Sequence, residues 1–438
     1  MEQNEKKTAG KKRLPTRWIV YISVALLTVL LNVVAWNSTS FCDAYIAYIF
    51  PVWVNTYGRL TGLFPFSVGE WLIVAGVVLV LLAVLLGVVC VIRGLMGIIV
   101  KIVRCRNSRE NAAEGNVSKF RRFTKGFYGF LAWTVLAVCV VMTLNCSILY
   151  HASTFSEKYF GEENGDYALE EFLELYNYVA SECNRLSAEM VRDEAGRILY
   201  GGKDGAEMSA AGAAGTGAGR EAAYQRNQMA DEAIASMQKL GETYSQLDGW
   251  YPRPKPMAFS DFMCQQYMCG YYFPFSMEAN YNDVMYIMNK PSALCHELAH
   301  LRGYIFEDEA NFIAYLACLE SEDPVFQYAG YLSVLPYLTK DINKAYREER
   351  ELFMETATRT GLVALKDQVY EDTLFVEESE WERINAKAWF ATETVEEVSD
   401  TFTDTTLKLN GVDDGIVSYS RVVRLLLQYY AHNSALQP

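Results

Sequence analysis

Three uninterrupted apolar blocks in the first third of the chain restrict its fold more than any other feature. Residues 18–36 (WIVYISVALLTVLLNVVAW), 71–92 (WLIVAGVVLVLLAVLLGVVCVI) and 127–149 (FYGFLAWTVLAVCVVMTLNCSIL) contain no charged residue. Each is about as long as the ~20 residues a helix needs to cross a bilayer. We read them as three membrane spans, which makes the lipid bilayer the first expected partner. Basic residues precede the first block, as they precede a secretory signal. Its apolar core is longer than the ~7–15 residues of a signal core, and no small-x-small pattern follows Trp36, so it reads as a retained anchor.

Lys and Arg set the expected orientation. Six lie before Trp18 (Lys6, Lys7, Lys11, Lys12, Arg13, Arg17), nine lie in residues 93–125, and only Arg59 lies between the first two spans. By the positive-inside rule, residues 1–17 form a cytoplasmic basic tail and everything after Leu149 is extracytoplasmic. The spans hold no Asp, Glu, Lys, Arg or His, which argues against a transport pathway. Trp18, Trp36 and Trp71 suit interfacial anchoring, whereas Trp133 falls within a span and suits helix packing.

Charge divides the chain. Residues 1–150 carry 16 Lys plus Arg against 6 Asp plus Glu, net +10, and the remaining 23 against 47 give net −24 for residues 151–438. An acidic domain repels phosphate backbones, so no nucleic-acid partner is expected; solubility is the plainer account of the acidity than recognition of a partner. The 10 cysteines show no zinc-ribbon spacing. Cys264 and Cys269, the one close pair beyond the spans, fit either a disulfide or two buried thiols.

Apolar residues recur at helical spacing over 167–190 and, more weakly, over 221–246. The Gly/Ala-rich stretch between them, near 200–220, reads as a mobile insertion within a helical segment at 151–250. A second region, 251–438, opens with the proline-stiffened YPRPKP and the aromatic YMCGYYFPFSMEANYNDVMYI, which should supply a few strands. Pro291 suits a helix start and Gly303 its end; another helix runs from Glu307 to about Glu320, and more are expected across 324–366, 379–407 and 418–432. FPFS occurs at 64–67 and again at 273–276 without a surrounding repeat. The fold class is mainly α, with three transmembrane helices, then a mostly helical domain with a small strand region before the helix at 291–303.

That helix carries CHELAH (295–300), with two of the chain's four histidines. Residues i and i+4 share a helix face, so His296 and His300 can both direct an imidazole nitrogen at one Zn2+. Glu297 is the candidate catalytic base beside them, taking a proton from a metal-acidified water and passing it to a leaving amine. At this histidine content, HExxH arises by chance roughly a few times in a thousand. A catalytic zinc takes three protein ligands plus water. The third is expected to be Glu307, with Asn311 on the same face orienting a ligand and Glu309 the substitute if the helix starts later. The plainer account of Glu307, Asp308 and Glu309 is a solvated acidic first turn. Cys295 points away from the histidine pair. Tyr419, Arg421 and His432 are candidates for stabilising a transition state.

The pieces LFPFSVGEW, YYFPFSMEANYN, HELAHLRGYIFEDEANFIAYLAC and LNGVDDGIVSYSRVVRLLL resemble a family of bacterial membrane proteins of unknown function that carry an HExxH signature. The likeness covers most of the chain and implies a bacterial cytoplasmic membrane. More distantly, Glu307-x-x-Ala310-Asn311 resembles the E-x-x-A-D element of gluzincin peptidases of the CAAX-protease and heat-shock membrane-protease type, with Asn311 in place of the Asp and a shorter gap after His300. That resemblance implies a zincin-like domain in which Glu307 is the third ligand, and YYFPFSMEANYN resembles the edge strand on which such peptidases extend a polypeptide substrate.

The expected function is a membrane-anchored zinc metallopeptidase acting at the outer membrane face or on envelope polypeptides. An amidase acting on a non-peptide bond would use the same groups. The competing class is a non-enzymatic envelope receptor or scaffold in which a metal only holds a helical hairpin together.

Overall fold

The computed structural model of the protein describes residues 15–104, 114–161, 167–201, 218–409 and 421–433. The chain forms two compact units, Met1–Ser38 with Ala75–Ile148, and Thr39–Val74 with Leu149–Pro438. The expected insertion near 200–220 and Tyr419 fall largely or wholly outside the described residues.

The first unit holds α1 (Thr16–Asn37), most of α5 (Val68–Arg104) and α6 (Glu114–Met142). Three helical stretches, Thr16–Asn37, Val68–Ile99 and Lys119–His151, are long and apolar enough to cross a membrane, and each contains one expected span. Several threonines in them bond back to their own helix, as Thr28 Oγ1 does to Val24 O, and a few polar groups bridge helices. Asn32 donates from Nδ2 to Thr143 Oγ1 at 2.7 Å and accepts at Oδ1 from Ser147 Oγ at 2.7 Å. In a medium without water such side chains are satisfied by one another. Trp133 packs edge-on against Tyr21, with ring centroids 5.2 Å apart.

The second unit begins between the first two spans: α2 (Thr39–Tyr48), α3 (Phe50–Trp53), a π turn at Val54–Gly58 and α4 (Arg59–Thr61). It continues with α7 (Phe155–Tyr159), α8 (Leu169–Glu189), α9 (Ala218–Thr243), β1 (Lys255–Pro256), α10 (Ser260–Gln265), β2 (Gly270–Phe273) and β3 (Glu278–Tyr281). Then come α11 (Lys290–His300), α12 (Glu307–Glu320), α13 (Pro324–Glu348), α14 (Arg350–Thr360), α15 (Asp367–Asp372), α16 (Glu378–Lys387), α17 (Thr392–Leu409) and α18 (Arg421–Asn433). The fold is mainly α with one small sheet.

Residues 151–250 and 251–438 lie in one compact unit, in which α11 is buried on nearly every side, α9 supplies one wall of it and α8 supplies one wall of α13. The helices expected across 324–366 and 379–407 are each two, broken where Glu349 (φ −131°, ψ 53°) and Ala388 (φ −65°, ψ 135°) leave helical geometry. Of the two readings open for Cys264 and Cys269 the structure has the free thiols, and Cys264 Sγ accepts from Asn282 Nδ2 at 3.1 Å.

The sheet order is β1-β3-β2, with β1 parallel and β2 antiparallel to β3. A buried carboxylate ties it to the start of α5. Glu278 accepts from the backbone N–H groups of Val68 (3.2 Å) and Gly69 (2.8 Å), from Ser276 Oγ (2.6 Å) and from Lys255 Nζ (2.5 Å). A helix N-terminus has unpaired N–H groups and partial positive charge, so an anion is stabilised there.

The turn joining α11 to α12 is tight. Gly303 has φ +88°, and a Cβ on it would lie 2.9 Å from Ile46 Cγ2, so both backbone conformation and space favour glycine. Helix α12 then starts at Glu307 with three acidic residues in its first turn, where the helix dipole favours them.

Candidate metal centre

The tight turn at Gly303 folds α12 back along α11 and brings Glu307 to the histidine pair. Nε2 of His296 lies 3.1 Å from Glu307 Oε2, and Nε2 of His300 lies 3.8 Å from Oε1. One donor atom from each of the three residues falls within 4.8 Å of the others, a spacing that a single ion can bridge. The imidazole rings are perpendicular, with centroids 4.6 Å apart.

The opposite ring nitrogens are held in place. His296 Nδ1–H donates to Asn311 Oδ1 at 2.9 Å, and His300 Nδ1–H donates to the backbone oxygen of Tyr304 at 2.7 Å. This fixes both rings and turns each Nε2 toward Glu307, the arrangement by which outer partners orient metal-ligating histidines. Asn311 is itself anchored, donating from Nδ2 to Tyr337 Oη at 3.2 Å. Tyr337 follows Pro336, which interrupts the hydrogen-bond ladder of α13.

Charge within the group is strongly coupled. Burial opposes a charge on His296, but its hydrogen bond to the Glu307 carboxylate lifts its pKa to about 9. Burial likewise opposes ionisation of Glu307, yet His296 brings it down to about 2. Burial and the neighbouring His296 charge lower His300 to about 4, so it stays neutral. Metal-free, the trio holds one proton on the histidines at neutral pH.

Glu297 is 4 % exposed, and burial raises its pKa to about 8. Its Oε2 has no hydrogen-bond partner among the described residues. Its other oxygen lies against β2: a Cβ on Gly270 would come within 2.4 Å of Glu297 Oε1. Two residues on, the Tyr272 ring faces His300 at 5.8 Å between centroids. Gly270 and Tyr272 thus share the strand face that covers α11, as alternation along a strand requires.

Strand β2 pairs with no strand but β3 among the described residues. Asn282 N–H donates to Cys269 O at 2.8 Å, which fixes the alternation of the ladder. By that alternation Tyr271 and Phe273 turn their main-chain groups to β3, and Gly270 and Tyr272 turn theirs to the side away from β3.

The remaining candidates lie elsewhere. The Glu309 carboxylate is buried away from the histidines, accepting the backbone N–H of Phe155, and burial lifts its pKa to about 8. The reason is helical phase: with α12 starting at Glu307, two residues later is the opposite face. Arg421 opens α18, and its charge partly offsets the burial that raises Asp308 to about 6. His432 packs on Phe160, with ring centroids 6.0 Å apart. Sequence reasoning had Tyr272 on the expected edge strand without singling it out and missed Gly270 and Tyr337, and the only local signal for these two was a glycine opening an aromatic strand.

A family model described as "Protein of unknown function (DUF3810)" matches residues 45–427. This chain belongs to that family. The matched region of the DUF3810 family takes in the end of α2, α3 and α4, the sheet, both arms of the α11–α12 hairpin and the first half of α18. Neither the curated proteins nor the solved structures contain a match to the chain.

Proposed function

We propose that this DUF3810 member is a membrane-anchored zinc-dependent metallohydrolase, most simply a peptidase acting on polypeptides at the outer membrane face. The observation that carries the reading is the convergence of His296, His300 and Glu307 within 4.8 Å, with the Glu297 carboxyl buried beside them. The resemblance of Glu307-x-x-Ala310-Asn311 to the gluzincin element points to the same third ligand.

Bound by these three residues, Zn2+ supplies Lewis-acid polarisation of a carbonyl and acidifies a water. The chain's own groups supply the rest. Asn311 and the Tyr304 carbonyl hold the imidazoles in the ligating tautomer. Glu297, with a free Oε2 and a pKa raised to about 8, is suited to take and return a proton near neutrality. The β2 edge at Gly270, beside Glu297, offers a main-chain donor and acceptor to an extended peptide, which favours a polypeptide substrate over other amides. The Lys and Arg distribution supports an extracytoplasmic second unit in a bacterial cytoplasmic membrane.

The test is Glu297→Gln in the full-length protein, with hydrolysis of a peptide pool followed by mass spectrometry. Loss of about 10²–10⁴-fold in rate with unchanged thermal unfolding is expected. Unchanged hydrolysis rejects Glu297 as the base.

The near-complete burial of Glu297 and His300, each 4 % exposed, favours one other reading, a metal that only fastens the α11–α12 hairpin. Under that reading, metal removal unfolds the second unit and Glu297→Gln changes no activity.

A further inference from the structure

Residues 39–66, between the first two spans, fold as part of the second unit yet leave a wide apolar surface uncovered. Along them burial repeats every four residues: Cys42, Ile46, Phe50, Val54 and Gly58 face inward. A four-residue repeat drifts about 40° per step on a regular α-helix. Here the break between α2 and α3 at Ile49 and the wider π turn at Val54–Gly58 keep one stripe turned inward.

The opposite stripe is apolar and exposed: Tyr48 (79 %), Val52 (55 %), Tyr57 (44 %), Leu60 (55 %), Leu63 (78 %) and Phe64 (44 %). The only two charges in the segment are engaged elsewhere. Asp43 binds Ser153 and Lys158 (3.2 Å to Nζ), and the Arg59 guanidinium lies 4.3 Å from the centre of the Trp250 ring. A contiguous exposed apolar surface of this kind marks an interaction site.

We infer that this stripe is a membrane-interface platform, embedded in the headgroup and upper acyl region of the bilayer. What selects lipid over a protein partner is continuity. Helix α1 ends at Asn37 and α2 begins at Thr39, while Phe66 is followed by α5 at Val68, so both ends of the segment enter apolar spanning helices directly. Tyr and Trp side chains favour that interfacial depth. An apolar helical face lying in the plane of the interface buries ~5–10 Å into the headgroup boundary.

The platform is also bolted to the sheet. Thr61 Oγ1 donates to Ser276 O in the β2–β3 turn at 2.8 Å, and Lys255 Nζ of β1 donates to Thr61 O at 2.8 Å. The strand that covers Glu297 is thereby fixed to the lipid surface. This placement stands independently of the metal reading.

The test uses the full-length chain reconstituted in phosphatidylcholine vesicles, with a genetically encoded fluorescent amino acid at Tyr48, at Leu60 or, as a control, at the exposed Tyr370. Fluorescence at 48 and 60 should be blue-shifted, quenched by lipids brominated near the headgroup and spared by aqueous iodide, and 370 should show the reverse. Iodide quenching without bromolipid quenching at 48 and 60 places them in water and overturns the inference. Protection from both quenchers means that protein, such as a second copy, covers the stripe, and overturns it equally. Repeating the measurement after chelation leaves the result unchanged, so its outcome is separable from that of the metal.

Discussion

Gly270 of β2 stands directly against Glu297 of α11, with no room for a Cβ between the strand and the carboxyl group. The close approach joins the sheet edge to the most buried acid of the candidate site. Gly270→Ala forces β2 or the Glu297 side chain to shift. Overpacking of this kind costs about 1–3 kcal/mol. A lowered unfolding temperature is expected, together with reduced hydrolysis under the proposed function, and no change in either would show that the contact constrains nothing.

Asn311 joins His296 to Tyr337. Asn311→Ala removes the acceptor that fixes the His296 ring, and loss of such an outer partner typically weakens metal binding about 10–100-fold. Asn311→Asp keeps an acceptor at the same place and should retain the metal. Competition titrations with a zinc indicator on the two variants check both expectations.

Metal binding should be linked to pH with a definite sign. Metal-free, the Glu307 carboxylate holds His296 protonated up to about 9, whereas His300 is already neutral above about 4. A metal entering at pH 7 therefore displaces the His296 proton. Affinity rises with pH, by about tenfold per unit, and levels off above the His296 pKa. Calorimetry at pH 7 in buffers of different ionisation enthalpy should register at least one proton released per metal bound; zero would contradict the coupled pair.

The Lys255–Glu278 ion pair is almost fully enclosed, with side-chain exposures of 9 % and 2 %. Lys255→Met leaves the Glu278 charge among backbone donors without its cation. Breaking a buried pair from one side costs about 3–5 kcal/mol. Thermal unfolding of the second unit should drop accordingly, and Glu278→Gln in the same chain should recover part of the loss.

Local pattern made much of this molecule readable. The three spans are composition written over twenty residues, and His296, His300 and Glu307 follow from helical phase plus one tight turn at Gly303. The fate of residues 39–66 was not legible, because what decides it is a four-residue burial stripe whose partners, such as Gly303 and Ser276, lie over two hundred residues away. The same holds for Tyr337, whose bond to Asn311 depends on α13 packing across α12. The change of texture from helix to strand near residue 250 falls within one compact unit.

Elemental analysis of purified full-length protein shows whether the HELAH helix and Glu307 hold a metal. One zinc per chain is expected, lost in His296→Ala and in Glu307→Ala and retained in folded Glu309→Ala. Folded protein that was never exposed to chelator and contains no metal would contradict it, as would zinc that survives Glu307→Ala.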